Sequence, residues 1–148
     1  MLKVSKSLEE TADIASDFLN NLKPNKDSAT VVALFGDLGA GKTAFVKKCA
    51  EHFGILETII SPTFIIEKIY KIPAGFNETW KHLIHIDAYR FEDEGEIKHI
   101  DFAKISSDPQ NIIFIEWPER IKSYLPRDAR EIFFEFVDEN TRRIKVGS

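Results

Sequence analysis

Gly36-Asp37-Leu38-Gly39-Ala40-Gly41-Lys42-Thr43 is a complete loop of the G-x-x-x-x-G-K-[ST] type, and its flanks decide how it is read. Thr30-Val31-Val32-Ala33-Leu34-Phe35 enters it as an apolar run with the character of a buried strand. Ala44-Phe45-Val46-Lys47-Lys48-Cys49-Ala50 leaves it as a helix. Glycines at 36, 39 and 41 let the backbone turn its N–H groups inward around phosphate, and the following helix adds the positive end of its dipole. Lys42 can reach the β- and γ-phosphates as a point charge, and the Thr43 hydroxyl can ligate Mg²⁺. The alternative is a glycine-rich turn that binds nothing. The intact Lys-Thr ending and the strand–loop–helix setting favour a nucleoside di- or triphosphate.

Working outward, 148 residues suit one domain, residues 1–148, with a proper core. A 43% hydrophobic and 30% charged composition is that of an ordinary globule, and twelve Phe supply bulky core material. The net charge of −4 argues against broad, nonspecific nucleic-acid binding, though not against a local basic patch. Cys49 is the sole cysteine, so no internal disulfide can form; four residues after Phe45, it reads as a core thiol. No apolar run approaches the roughly 18 residues of a membrane span. The opening Met1-Leu2-Lys3-Val4-Ser5-Lys6 lacks a secretory apolar core, so a cytoplasmic location is expected.

Ser7-Leu8-Glu9-Glu10 is a capping-box pattern, and Leu8, Ala12, Ala15, Phe18, Leu19 and Leu22 recur at helical spacing after it. A helix over 8–22 is expected, ended by Pro24. The helix after the phosphate loop should run to about Phe53 and stop at Gly54. Residues 65–72 and 80–87 read as strands joined by the turn-forming Pro73-Ala74-Gly75-Phe76-Asn77. Glu92-Asp93-Glu94-Gly95-Glu96 leads into a short helix through about Ala103, and Asn111 to Glu116 is a buried strand by composition. Strands at 130–137 and 142–146 flank Asp138-Glu139-Asn140, a second hairpin signal. The fold expected is α/β: a P-loop NTPase-like three-layer domain, its mixed sheet flanked by helices, with antiparallel hairpins at 65–87 and 130–146.

A nucleotide enzyme needs a carboxylate near its metal. Asp87 closes Leu83-Ile84-His85-Ile86, and Glu116 closes Ile112-Ile113-Phe114-Ile115. A carboxylate after four apolar residues belongs at a sheet end facing a site, since burying it unpaired is costly. A surface acid at a strand end is the plainer alternative for each, and which one holds Mg²⁺ stays open. Ser61-Pro62-Thr63-Phe64 could sense a γ-phosphate as switch loops do, or could be a proline turn. His85 shares a strand face with Asp87 and reads as a hydrogen-bonding structural residue. Trp117 is either core or a shield over the site. Ser7 and Thr11 are plausible neighbours of a nucleotide base.

The order GDLGAGKT, SPTF at 61–64, HIDAYR at 85–90 and IEWPER at 115–120, then Leu125-Pro126, resembles the bacterial TsaE (YjeE) ATPase family over nearly the whole chain. The resemblance implies a weak ATPase taking part in threonylcarbamoyladenosine modification of tRNA. It implies ATP and Mg²⁺ as cofactors and action with a TsaB–TsaD complex, tRNA being reached only through that complex. DNA and membrane partners are not implied. Carried onto this chain, Lys42, Glu116, Asp87 and Thr63 form the catalytic set. Asp37, Leu38, Gly39, Ala40, Gly41, Lys42, Thr43, Ala44 and Trp117 would hold the nucleotide, with Thr43 and Glu116 at the metal. The chain departs from the family pattern at His99 and within Ile121-Lys122-Ser123-Tyr124, where members tend to carry glycine.

Two other functions fit the phosphate loop. A small-molecule kinase, acting on a nucleoside or sugar, starts with the same motif, but no arginine-rich lid follows here. A nucleotide-dependent binding module would use the 61–64 segment to make a docking surface.

Overall fold

The computed structural model describes residues 1–59 and 66–147. Its centre is one seven-stranded mixed sheet. In chain order the strands are β1 (Leu2–Ser5), β2 (Thr30–Phe35), β3 (Glu67–Lys71), β4 (His82–Asp87), β5 (Asn111–Glu116), β6 (Arg130–Asp138) and β7 (Thr141–Val146). They lie side by side as β1-β7-β6-β2-β5-β4-β3. β4, β5, β2 and β6 are parallel neighbours, while β3–β4, β6–β7 and β1–β7 are antiparallel. Both expected hairpins are therefore present.

Two helices, α1 (Leu8–Asn21) and α2 (Lys42–His52), cover one face of the sheet. Phe18, Leu19, Phe45, Val46 and Cys49 meet Val32, Leu34, Ile112, Phe114, Ile132 and Phe134 there. Burial pushes the Cys49 thiol well above its ordinary pKa, as suits a core residue. The other face is covered by a 3-10 segment (Glu94–Ile100), the short α3 (Phe102–Ser106) and a second 3-10 segment (Pro118–Tyr124). Phe91, Ile97, Phe102 and Ile121 pack on Val31, Ile84, Ile86, Ile113 and Ile115. Alternate residues of β2, β4 and β5 feed the two cores, as the period of two requires. This is the expected three-layer architecture.

Local chemistry sets the element ends. Ser7 caps α1, its Oγ accepting from Glu10 N at 3.0 Å. Glu10 reaches back past the cap to Lys6 N at 2.6 Å, so the capping box is displaced by one residue. α1 stops at Asn21, and α2 ends just before Gly54, which adopts a φ of +76°.

One strand was not foreseen and two expectations need correction. Leu2–Ser5 is a strand, pairing Leu2 with Lys145 and Ser5 with Arg142. The helix expected through Ala103 is interrupted at Asp101, which takes a left-handed φ of 53° between the 3-10 segment and α3. Trp80 precedes β4 and donates its indole N–H to Thr30 Oγ1 at 3.2 Å. Neither His99 nor residues 121–124 take a positive φ, so the fold requires no glycine at either departure from the family pattern.

Candidate functional site

The phosphate loop sits where the central strand β2 turns into α2. Gly36 has a φ of +148°, and a Cβ there would lie 2.7 Å from the Phe134 carbonyl oxygen, so β6 presses against the loop's first glycine. Gly41 opens α2 in the left-handed region, φ 105°, and no side chain caps the helix. Its first-turn N–H groups are thus left to an anion. Asp37, Leu38 and Gly39 form the exposed crest of the loop, and Ala40 is buried beneath it.

Lys42 is 4% exposed. Its ammonium donates to the Gly36 carbonyl and lies 3.9 Å from the centroid of the Trp117 ring. Burial pushes it below the ordinary lysine range, opposed by the carboxylates of Glu116, Glu119, Asp87 and Asp37. Trp117 reaches this position through a left-handed turn, φ 58°, straight after β5, and its ring also meets Tyr89 at 5.0 Å.

Glu116 ends β5 beside the first turn of α2. Its Oε2 accepts from Thr43 Oγ1 at 2.8 Å and is 2.6 Å from His85 Nε2. Asp87 is the register partner of Glu116 on β4, and its Oδ1 accepts from Tyr89 N at 2.9 Å. One cleft is lined by Leu38, Gly39, Gly41, Lys42, Thr43, Ala44, Asp87, Tyr89, Glu116 and Arg142. Of the site residues expected from sequence, this cleft brings together Leu38, Gly39, Gly41, Lys42, Thr43, Ala44, Asp87 and Glu116. Trp117 packs over Lys42, Asp37 and Ala40 belong to the loop but not to this lining, and Thr63 with the rest of 61–64 lies outside the described residues.

A second cleft shares Gly41, Ala44 and Arg142 with the first and runs back to Ser5, Ser7 and Thr11. Ser7 and Thr11, expected as neighbours of a nucleotide base, line this second cleft, and Thr11 shares a 2.7 Å hydrogen bond with Ser5. Sequence reasoning missed Arg142. This residue packs along Gly41, donates from Nε to the Gly39 carbonyl at 3.2 Å, and lies 4.5 Å over the Phe136 ring. Only the placement of the closing hairpin beside β2 brings it to the loop. The bond between His85 and Glu116 was also not foreseen.

The donor set suits a hard cation. Thr43 and Glu116 offer oxygens, and among the described residues no group of three or more His, Cys, Asp or Glu could hold a metal without other ligands. Oxygen donors of this kind are the ones Mg²⁺ takes, one or two from protein with the rest from phosphates and water.

The family model for "Threonylcarbamoyl adenosine biosynthesis protein TsaE" matches residues 5–144. The tRNA threonylcarbamoyladenosine biosynthesis protein TsaE of Rickettsia typhi is 41% identical over 141 residues, covering 95% of this chain and 90% of that protein. Its Bacillus subtilis counterpart is 37% identical over 136 residues, covering 92% and 78%. The crystal structure of Bacillus subtilis YdiB superimposes with a TM-score of 0.72 at 28% identity, spanning 99% of this chain and 83% of that one. With a family model that matches from Ser5 to Ile144, this chain belongs to the TsaE family and has its role in tRNA threonylcarbamoyladenosine biosynthesis.

Proposed function

We propose that the chain binds ATP with Mg²⁺ and hydrolyses it slowly, as the cytoplasmic ATPase subunit that works with a TsaB–TsaD pair on tRNA. The observation that carries this reading is the 2.8 Å link between Thr43 on the phosphate loop and Glu116 at the end of the neighbouring strand. It joins a phosphate cradle to a carboxylate in the arrangement that Mg²⁺-nucleotide chemistry needs. Family membership supports the tRNA role, and no described helix is long and apolar enough to cross a membrane.

Each residue has a part in that reaction. The loop N–H groups and the start of α2 cradle the phosphates. Lys42, exchanging the Gly36 carbonyl for a γ-phosphate oxygen, offsets charge that develops as the terminal phosphoryl group leaves. Thr43 and Glu116 would hold Mg²⁺, which would supply charge neutralisation to the phosphates. Asp87, one strand over at the same register, orients the attacking water. The Trp117 ring covers Lys42 and limits stray water. The cleft bordered by Ser7, Thr11 and Arg142 would take the base and sugar.

The test is ATP turnover by the purified protein, alone and with the TsaB–TsaD pair and tRNA. Slow hydrolysis alone, and tRNA modification only when all three proteins and ATP are present, are the expected results. Absence of ATP binding, or phosphate transfer to a nucleoside or sugar in a substrate screen, would overturn the assignment.

A further inference from the structure

The imidazole of His85 is fully buried on β4, on the face that also carries Leu83 and Asp87. One of its nitrogens is used and one is not. Nε2 lies 2.6 Å from Glu116 Oε2, whereas Nδ1 is buried with no hydrogen-bond partner among the described residues. A histidine kept only to satisfy the core would have both nitrogens paired, since buried polar atoms nearly always are. Among the described residues, Nδ1 is instead left unpaired and the bond to Glu116 is the one His85 keeps.

The position of that bond gives the reason. A carboxylate oxygen can only accept, so Nε2 carries the hydrogen and donates it. Oε2 then takes donors from two elements, Thr43 Oγ1 on α2 and His85 Nε2 on β4. With Oε2 held from both sides, the carboxylate plane is fixed and Oε1 is the oxygen left for a cation. Without His85, the nearby Lys42 ammonium would compete for the carboxylate, Glu116 being the carboxylate that acts on it most. Pairing with it would draw Glu116 off the metal position and occupy the lysine that phosphate needs.

We infer that His85 is a positioning residue for Glu116: its Nε2–H holds the carboxylate in the orientation that receives Mg²⁺ with the nucleotide. This rests on the Mg²⁺-nucleotide reading above. Partners of this kind, which orient a ligand without touching the metal, typically change metal affinity by tenfold or more when removed. A ring is suited to the task because it places the donor at a fixed distance from a strand two residues before Asp87. Gln can place an amide N–H near the same point; Leu fills similar space with no donor.

The experiment follows binding of a fluorescent N-methylanthraniloyl-ADP to wild type, His85→Leu and His85→Gln, titrated with MgCl₂ and repeated in excess EDTA. Thermal melting checks that each variant is folded. His85→Leu should need about tenfold more Mg²⁺ for half of the Mg²⁺-dependent change, with its EDTA affinity unchanged. His85→Gln should regain most of the wild-type Mg²⁺ dependence. A folded His85→Leu with wild-type Mg²⁺ dependence overturns the inference, as does an equal loss of affinity with and without Mg²⁺. If His85→Leu does not fold, His85→Asn, polar but too short to reach Glu116, takes its place against His85→Gln, and equal Mg²⁺ dependence of those two overturns it. A wild-type protein that binds no nucleotide removes the functional reading itself, whereas a normal wild type beside an unaffected variant removes only the role of His85.

Discussion

The two sides of the central strand β2 are built to opposite rules. Toward β5 and β4 the sheet is covered on both faces: all six residues of β5 are buried, and all but the first of β4. Yet these strands carry His85, Asp87 and Glu116, which have almost no contact with solvent. Toward β6 and β7 only the helical face is covered. Of the nine residues of β6 only Ile132 and Phe134 are buried, while Phe133, Phe136 and Val137 are exposed. The second helical layer packs on Val31, Ile84 and Ile113 and does not extend over β6. Polar groups are thus buried where apolar ones would cost least, and apolar groups stand exposed where polar ones would. Buried polar groups are expensive unless paired, and on the covered side Thr43, Tyr89 and one another are among the partners that offset this cost. The pattern sets the buried carboxylates on the covered side of β2 and leaves the outer face of β6 and β7 to tolerate change, while Arg142 reaches the loop from the helical face of β7.

The largest expected contrast is catalytic. Lys42→Ala or Glu116→Ala should lower ATP turnover by roughly a hundredfold or more, the scale for removing one preorganised charge-stabilising group. On the open side, Glu135 and Arg143 form an exposed ion pair at 3.4 Å. Replacing either with Ala should leave turnover unchanged and alter stability by under about 1 kcal/mol. Steady-state phosphate release on the four variants decides it. Loss of activity in either of the last two would mean that the outer face of β6 and β7 also serves the reaction.

Packing gives the next contrast. Phe114 is 0% exposed at the centre of the covered side, and Phe114→Ala should cost about 3–5 kcal/mol in urea unfolding. Phe133 is 41% exposed and touches Phe35 in a stack with centroids 4.9 Å apart. Phe133→Ala should cost only about 1 kcal/mol, near the worth of such an aromatic pair. Equal costs would show that the outer face of β6 is not open in solution.

The same contrast explains what could be read from residues alone. The phosphate loop was legible because an apolar strand and a helix flank a motif whose residue types follow from phosphate chemistry. Both hairpins were legible from turn residues such as Pro73-Ala74-Gly75 and Asp138-Glu139-Asn140. Glu116 and Asp87 could be singled out as acids ending apolar runs, but not placed at one register until β4 and β5 were paired. Leu2–Ser5 escaped notice since its pairing comes from β7 at the far end of the chain, and Met1 bonds to Val146, 145 residues away. Arg142 and the bond of His85 to Glu116 were hidden for the same reason: each depends on which strands become neighbours. The break at Asp101 is local, but a left-handed Asp has no signal strong enough to stand out from a helical stretch.

The smallest effect concerns a carboxylate that breaks the rule obeyed by Asp87 and Glu116. Glu67 begins the edge strand β3 and is partly buried, with Oε2 lacking any hydrogen-bond partner among the described residues. Burial, with the Asp101 carboxylate adding to it, pushes its pKa above the ordinary glutamate value. The folded chain therefore binds this proton more tightly than the unfolded one. Between the ordinary value and the raised one, the folded state holds more protons, so stability falls as pH rises through that window. Above the window the cost of the buried charge is fully present, and below the unfolded value it is gone. Glu67→Gln, which keeps the shape and removes the charge, should accordingly stabilise the protein at neutral pH. Its advantage over wild type should shrink toward zero near about pH 4, close to the ordinary glutamate pKa. Paired urea unfolding curves at the two pH values measure this directly. A Gln variant less stable than wild type at neutral pH would show that the Glu67 charge has a partner that offsets its burial, and that β3 follows the same rule as β4 and β5.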